Sequence, residues 1–266
     1  MQGMTVTFQR PVLADLIRNA VVVLLAVLQL VVSGLGGIGL AGDTAGAVAH
    51  EYASPLLAAG WAFAIWAPIY AGFLAYAVYQ VLPAQRGRQI HRETGWWLAA
   101  SAVFNIAWVL AFEAGWLPLA ELLILALLVT LAVVFGRLSR QPADSVLERV
   151  VLRGTVALYT GWVSFAVALC TAATGVWVGL PGTGALAAIA AVVVLLAVSV
   201  IASWVVLSGT AVVGYAIAAV WAAAGIALND PPAGVVVAGA IAIVTVIAAA
   251  TRRLTTAGNP VRAAWG

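Results

Sequence analysis

The chain has 266 residues, of which 65% are hydrophobic and only 8% are charged, with a formal net charge of +3. A soluble domain could not bury that much apolar surface, so the composition indicates an integral membrane protein. The apolar runs are long and show no alternating polarity, which favours helices over barrel strands. Arginine supplies all the basic charge, and twelve scattered arginines are too few for a nucleic-acid surface. The absence of lysine excludes a retinal Schiff base.

The apolar runs predict an all-α protein with about eight transmembrane helices. The first run could instead be a cleaved signal peptide, because Ala47-Val48-Ala49 resembles a cleavage site. That run is too long and too far from the site, which favours a retained helix. The predicted spans are 17–36, 55–82, 96–112, 117–135, 154–174, 185–205, 210–228 and 235–251.

The arginines set the predicted orientation. With eight spans, all twelve lie on the N-terminal lead, the second and fourth connections and the C-terminal tail, or at their edges. The opposite connections carry Asp43, Glu51, Glu113 and Asp230 and no arginine. Positive charge prefers the cytoplasmic side, so both termini are expected in the cytoplasm. Composition is consistent with a high-GC bacterium, and therefore with the inner (plasma) membrane.

Span two is unusually rich in aromatic residues. Trp61, Phe63, Trp66 and Tyr70 lie at spacings that place several of them on one helix face. One interpretation is an aromatic belt at the membrane interface. Because the aromatics continue deep into the span, we favour a flat-walled aromatic surface inside a bundle. Pro68 is expected to kink this helix.

Spans three and five repeat this pattern. Asn105 and Trp108 lie three apart in span three, and a buried Asn in lipid needs a hydrogen-bond partner. Span five carries a stripe at spacings of three and four. Both features are also compatible with ordinary helix packing. The stripe consists of Tyr159, Trp162, Phe165 and Ala166.

These three motifs, in this order, resemble the tryptophan-rich sensory protein family, also called the TspO or translocator protein family. That family has five transmembrane helices with aromatic signatures on helices two, three and five, and an acidic residue near the start of helix four, here Glu121. Two departures are Cys170, which replaces an Asn at the end of the helix-five motif, and the unusual Pro68. The resemblance covers 17–175. We therefore predict a TspO-like five-helix bundle at 1–175 and three additional helices with a short tail at 176–266.

The resemblance implies a membrane protein that binds porphyrins or sterols in a bundle pocket closed by the first loop. Because the outer loops offer no arginine, a neutral ligand such as an isoprenoid also fits. No resident cofactor is expected, and the partners would be membrane lipids and the hydrophobic ligand. The chain could be a monomer or a homodimer. The predicted ligand-binding residues are Trp61, Phe63, Trp66, Tyr70, Asn105, Trp108, Tyr159, Trp162, Phe165 and Ala166.

A secondary transporter is the main alternative, because Glu113 and Glu121 lie near the outer ends of spans three and four. Interfacial placement of these two carboxylates is the simpler interpretation. Heme or metal ligation is not favoured, because His50 and His91 are predicted in loops. The sequence offers no Ser–His–Asp set and no close carboxylate pair within a span, so nothing supports an enzyme.

Overall fold

A computed structural model describes residues 12–37 and 44–266 of the chain. Every regular element in these two ranges is helical. A 310 segment (Gly60–Ile65) leads into α3, and a π-helical segment (Arg149–Gly154) joins α6 to α7. The helices are α1 (Leu13–Gly37), α2 (Ala45–Glu51), α3 (Trp66–Val81), α4 (Gln89–Glu113), α5 (Leu117–Arg140), α6 (Val146–Glu148), α7 (Thr155–Trp177), α8 (Gly184–Ser208), α9 (Val212–Ala227), α10 (Ala233–Thr256) and α11 (Pro260–Trp265).

Among the described residues, seven helical stretches are long and apolar enough to cross a membrane. The predicted seventh span corresponds to α9, which has only 16 residues. At 1.5 Å per residue, α9 is about 24 Å long, shorter than the hydrocarbon core of a bilayer. Even so, α9 is apolar and much of its surface is buried among its neighbours. The prediction of an all-α integral membrane protein with about eight helices is confirmed.

Five helices form a ring. Helix α4 packs against α1 and α5, α5 packs against α7, and α3 contacts both α1 and α7. The last three long helices lie outside this ring: α9 packs on α7, α10 packs on α9, and α8 packs on α10 and α7. The division of the chain near residue 175 stays a prediction.

Glycines allow α9 to approach its neighbours closely. A Cβ added at Gly161 in α7 would lie 2.6 Å from the carbonyl oxygen of Tyr215. One added at Gly225 would lie 2.5 Å from Cβ of Ala62 in the 310 segment. Small residues therefore bring α9 into backbone contact on two sides.

The arginine-bearing connections meet at one end of the bundle. Asp15 pairs with Arg18 of its own helix and with Arg92 of α4, at 2.8 and 2.7 Å. Arg253 of α10 donates two hydrogen bonds to the carbonyl oxygen of Gly209, which anchors the uncharged turn between α8 and α9. The predicted segregation of arginine is thus seen in the described part of the chain, whereas Arg10 and Asp43 lie outside it.

Two expectations at this end were wrong in detail. His91 does not lie in a loop, because α4 begins at Gln89 and buries the ring against Tyr76 and Tyr79. In the polar stretch before α7, the helical spacing of Asp144, Glu148, Arg149 and Arg153 predicts a surface helical turn. The turn is present, but Glu148 and Arg153 are buried instead of lying on the surface. Each of these groups is enclosed by packing between elements that are distant in sequence.

Pro68 lies in the first turn of α3, after the chain has passed from 310 to α geometry at Ile65 and Trp66. Proline has no N–H to donate to the carbonyl four residues earlier, which here belongs to Ala64. The change of helix type before Pro68 accommodates that missing bond.

Five of the exposed tryptophans lie near the two ends of the bundle. Trp96, Trp204 and Trp265 lie near the arginine-rich end, and Trp116 and Trp177 lie near the opposite end. Indole rings favour the level of the lipid headgroups, so this placement is the one expected of a membrane-spanning bundle.

Candidate functional site

A cavity of about 640 Å³ opens at the end of the bundle opposite the arginines. Helix α2 and the segment that follows it form one side, and α1, α3, α4 and α7 form the rest. Thr44 caps α2 by accepting a hydrogen bond from the backbone N–H of Ala47 at 3.2 Å. The cavity is lined by Leu30, Ser33, Gly34, Thr44, Ala45, Gly46, Ala49, His50, Tyr52, Ser54, Leu57, Ala58, Gly60, Phe63, Ala64, Trp66, Ala67, Tyr70, Trp108, Val109, Phe112, Glu113, Trp162, Ala166, Leu169, Cys170 and Ala173.

Trp66 is the centre of the aromatic wall. Its ring stacks on Tyr70 at a centroid distance of 5.3 Å and lies 5.7 Å from the ring of Trp108. The ring of Trp162 meets Trp66 edge-on at 6.1 Å, and Phe63 meets Trp162 at 5.9 Å. The aromatic stripes of three helices therefore converge on one wall, with the offset and edge-to-face geometries that aromatic rings prefer.

Beside this wall lies a short chain of hydrogen bonds. Ser33 donates to the phenol oxygen of Tyr70 at 2.8 Å, and Tyr70 donates to the side-chain carbonyl of Asn105 at 3.2 Å. Buried polar groups need such partners in an apolar environment. The chain joins α1, α3 and α4 and fixes the orientation of the Tyr70 ring. The amide nitrogen of Asn105 has no partner among the described residues.

The predicted site residues occupy three positions. Phe63, Trp66, Tyr70, Trp108, Trp162 and Ala166 line the cavity. Asn105, Tyr159 and Phe165 are buried behind the wall, where Tyr159 meets Trp66 edge-on at 5.8 Å. Trp61 lies away from the cavity and packs against Trp221 at 4.9 Å. Their role in ligand binding stays a prediction.

Sequence reasoning expected the first loop to close the pocket but named none of its residues as site residues. Helix α2 lies in that loop with Thr44 as its N-cap, and Thr44, His50 and the neighbouring small residues form no motif. Ser33 was also missed, since its position on the cavity depends on how α1 is rotated against α3. A signal did exist for Glu113, which stood out as an ionisable residue near a span.

Glu113 is the acidic residue of the cavity lining. It ends α4 and is only 6% exposed, so its neighbours cover most of the side chain although it lies at the helix end. Its placement at the membrane interface stays a prediction. Its carboxyl group lies against Gly36 of α1, where an added Cβ would be 2.0 Å from Oε1. None of the arginines that the structure describes belongs to the lining. On the α2 side of the cavity, the hydrogen bond to Glu51 and then desolvation raise the pKa of the Tyr52 phenol above its ordinary value.

Glu121 lies elsewhere. It accepts a hydrogen bond from the hydroxyl of Thr171 at 2.7 Å, between α5 and α7, and does not belong to the lining. Cys170 separates it from the cavity, because the thiol belongs to the lining and interacts with the Glu121 side chain. The two carboxylates therefore occupy different environments.

Fold and cavity together define a class: an all-α integral membrane protein whose helix ring holds an aromatic cluster at one end. Residues 17–251 match the family of TSPO-like proteins, and this match includes α8, α9 and most of α10. The chain belongs to that family. No curated protein and no solved structure matches it.

Proposed function

We propose that the protein binds a flat, hydrophobic ligand in this cavity. The observation that carries the proposal is the convergence of Trp66, Trp108 and Trp162 on one wall of a cavity of about 640 Å³. Cavities of a few hundred cubic ångströms with mainly apolar walls are typical of small-molecule sites, and indole faces suit conjugated rings. Candidate ligands are tetrapyrroles of the porphyrin type and neutral isoprenoids.

The charge of the lining disfavours anionic members of these classes. A porphyrin with two carboxylates would need cationic or neutral donors, whereas the lining offers Glu113 and no arginine. An esterified tetrapyrrole or an isoprenoid would bring no anion near Glu113. We propose a sensory or transport role in the bacterial inner membrane, with both termini in the cytoplasm, because arginine-rich ends prefer that side.

Tryptophan substitutions at the wall test the site. We expect saturable quenching of protein fluorescence by protoporphyrin IX dimethyl ester, and a weaker response to the free dicarboxylic acid. Trp108→Phe and Trp162→Phe should each weaken the ester's affinity several-fold, since each removes part of the stacking surface. Trp96→Phe is the matched control, because Trp96 is exposed at the opposite end of α4. Equal affinity in all four proteins would show that the aromatic wall is packing alone.

Secondary transport of a small hydrophobic solute is the second candidate, favoured by the burial of Glu113 beside the cavity. Two observations weigh against it. Glu121 lies outside the lining, and buried Val22, Phe73 and Leu98 fill the ring further toward the arginine-rich end. If the protein is such a transporter, uptake of the hydrophobic solute into proteoliposomes should be lost in both Glu113→Gln and Glu121→Gln. Uptake that survives in both variants would remove this candidate.

A further inference from the structure

The carboxyl group of Glu113 is an unusual feature of an apolar cavity. The residue is 6% exposed, and its Oε2 atom is enclosed and has no hydrogen-bond partner among the described residues. No residue in 12–37 or 44–266 forms an ion pair with it. An ionisable group in this position is costly unless a partner of opposite charge or a strong donor satisfies it.

The described surroundings offer no such partner. The arginines in 12–37 and 44–266 belong to the opposite end of the bundle, and none of them lines the cavity. His50 also belongs to the lining but is exposed on α2. The described lining therefore combines one buried acid with no arginine.

The aromatic wall, like the carboxyl group of Glu113, favours a positively charged ligand. The faces of tryptophan and tyrosine rings carry partial negative charge and attract cations, most strongly where water is excluded. Trp66, Trp108 and Tyr70 border the same cavity as Glu113. Two independent features, a carboxyl group and several aromatic rings, thus favour positive charge in one ligand.

We propose that Glu113 recognises a protonated nitrogen on a flat hydrophobic ligand, so that the cavity selects planar cations over neutral and anionic analogues. This inference rests on the proposed function and narrows its ligand class to nitrogen-bearing conjugated rings. The ring lies against the aromatic wall, and the nitrogen donates to the carboxylate. Gly36 acts as a positioning residue, because only a residue without a side chain leaves space for the carboxyl group there.

Three probes with one ring system and different charges test this selection. At neutral pH, 9-aminoacridine is a cation, acridine is neutral and acridine-9-carboxylate is an anion. Binding to the detergent-solubilised full chain is measured by equilibrium dialysis, with empty micelles subtracted. We expect the wild type to bind the cation most tightly and the anion most weakly. Glu113→Gln should weaken binding of 9-aminoacridine about tenfold or more, since a charge-assisted hydrogen bond is lost, and should change acridine binding less than about twofold.

Two further variants sharpen the result. Glu121→Gln removes the same charge at the same end of the protein but outside the lining, so its binding of all three probes should equal the wild type. Gly36→Ala keeps the charge but displaces the carboxyl group, and should reduce the preference for the cation while acridine still binds.

The failure of this inference can be told from the failure of the proposed function. If Glu113→Gln binds 9-aminoacridine as tightly as the wild type, or if Glu121→Gln weakens it equally, Glu113 is not the recognition group. Acridine binding that still depends on Trp108 and Trp162 would then leave the aromatic site standing. Absence of saturable binding by all three probes in the wild type would overturn both.

Discussion

Replacement of Glu148 by alanine will destabilise the protein by about 3–5 kcal/mol, the range for removing one partner of a buried ion pair. The Glu148 carboxylate accepts hydrogen bonds from Arg153 at 3.0 and 3.1 Å and from Arg88 at 2.8 Å. Arg153 is itself buried, so the variant leaves an uncompensated guanidinium in the interior. Two backbone carbonyls, of Leu138 and Gln141, would still accept from its other nitrogen.

Asp144→Ala is the matched control for this prediction. Asp144 pairs with the same arginine, Arg88, but its side chain is 69% exposed. Exposed ion pairs contribute about 0–1 kcal/mol, so this variant should unfold close to the wild type. The measurement is the unfolding midpoint in mixed micelles with increasing denaturing detergent. Equal midpoints for the two alanine variants would show that the buried carboxylate of Glu148 contributes no more to stability than the exposed carboxylate of Asp144.

Gly161→Ala is expected to have the second largest effect, about 1–3 kcal/mol, because it overpacks the contact between α7 and α9. The added Cβ would lie 2.6 Å from the carbonyl oxygen of Tyr215 and 3.0 Å from Cβ of Ala218. Backbone atoms cannot move aside singly, so the two helices must separate. That separation would also stretch the hydrogen bond from Tyr215 to Ser164, now 3.0 Å long.

Gly136→Ala provides the comparison, since nothing lies within 4 Å of the added Cβ in α5. Alanine has the higher helix propensity, so this variant should be neutral or more stable by up to about 1 kcal/mol. Thermal unfolding of the purified proteins would report both effects. A Gly161→Ala protein as stable as Gly136→Ala would show that α7 and α9 are not in close contact.

Much of the fold could be predicted because the requirements of a membrane-spanning helix are visible directly in the amino-acid sequence. Long apolar runs predict helices, and arginines show which helix ends belong together. The burial of Glu148 and Arg153 could not be predicted in this way. Their spacing is equally typical of a solvated helix, and only the packing of that segment against Arg88 and Leu138 encloses them.

The aromatic half of the site was also readable from sequence. Spacings of three and four place ring side chains on one face, and three such faces are more informative than one. The rotation of α1 and the position of α2 were not readable, since helical periodicity says nothing about how two helices are turned toward each other. The contacts of Ser33 and Gly36, the place of His50 in the cavity lining and the burial of Glu113 consequently appeared only with the structure.

The shortness of α9 makes its neighbours important for holding it in place. At about 24 Å, α9 is shorter than the hydrocarbon layer, and no charged residue lies within it to fix its depth. Its turn with α8 is held by Arg253 of α10. The depth of α9 therefore depends on its contacts with α7 and α10 and on the anchoring of this turn.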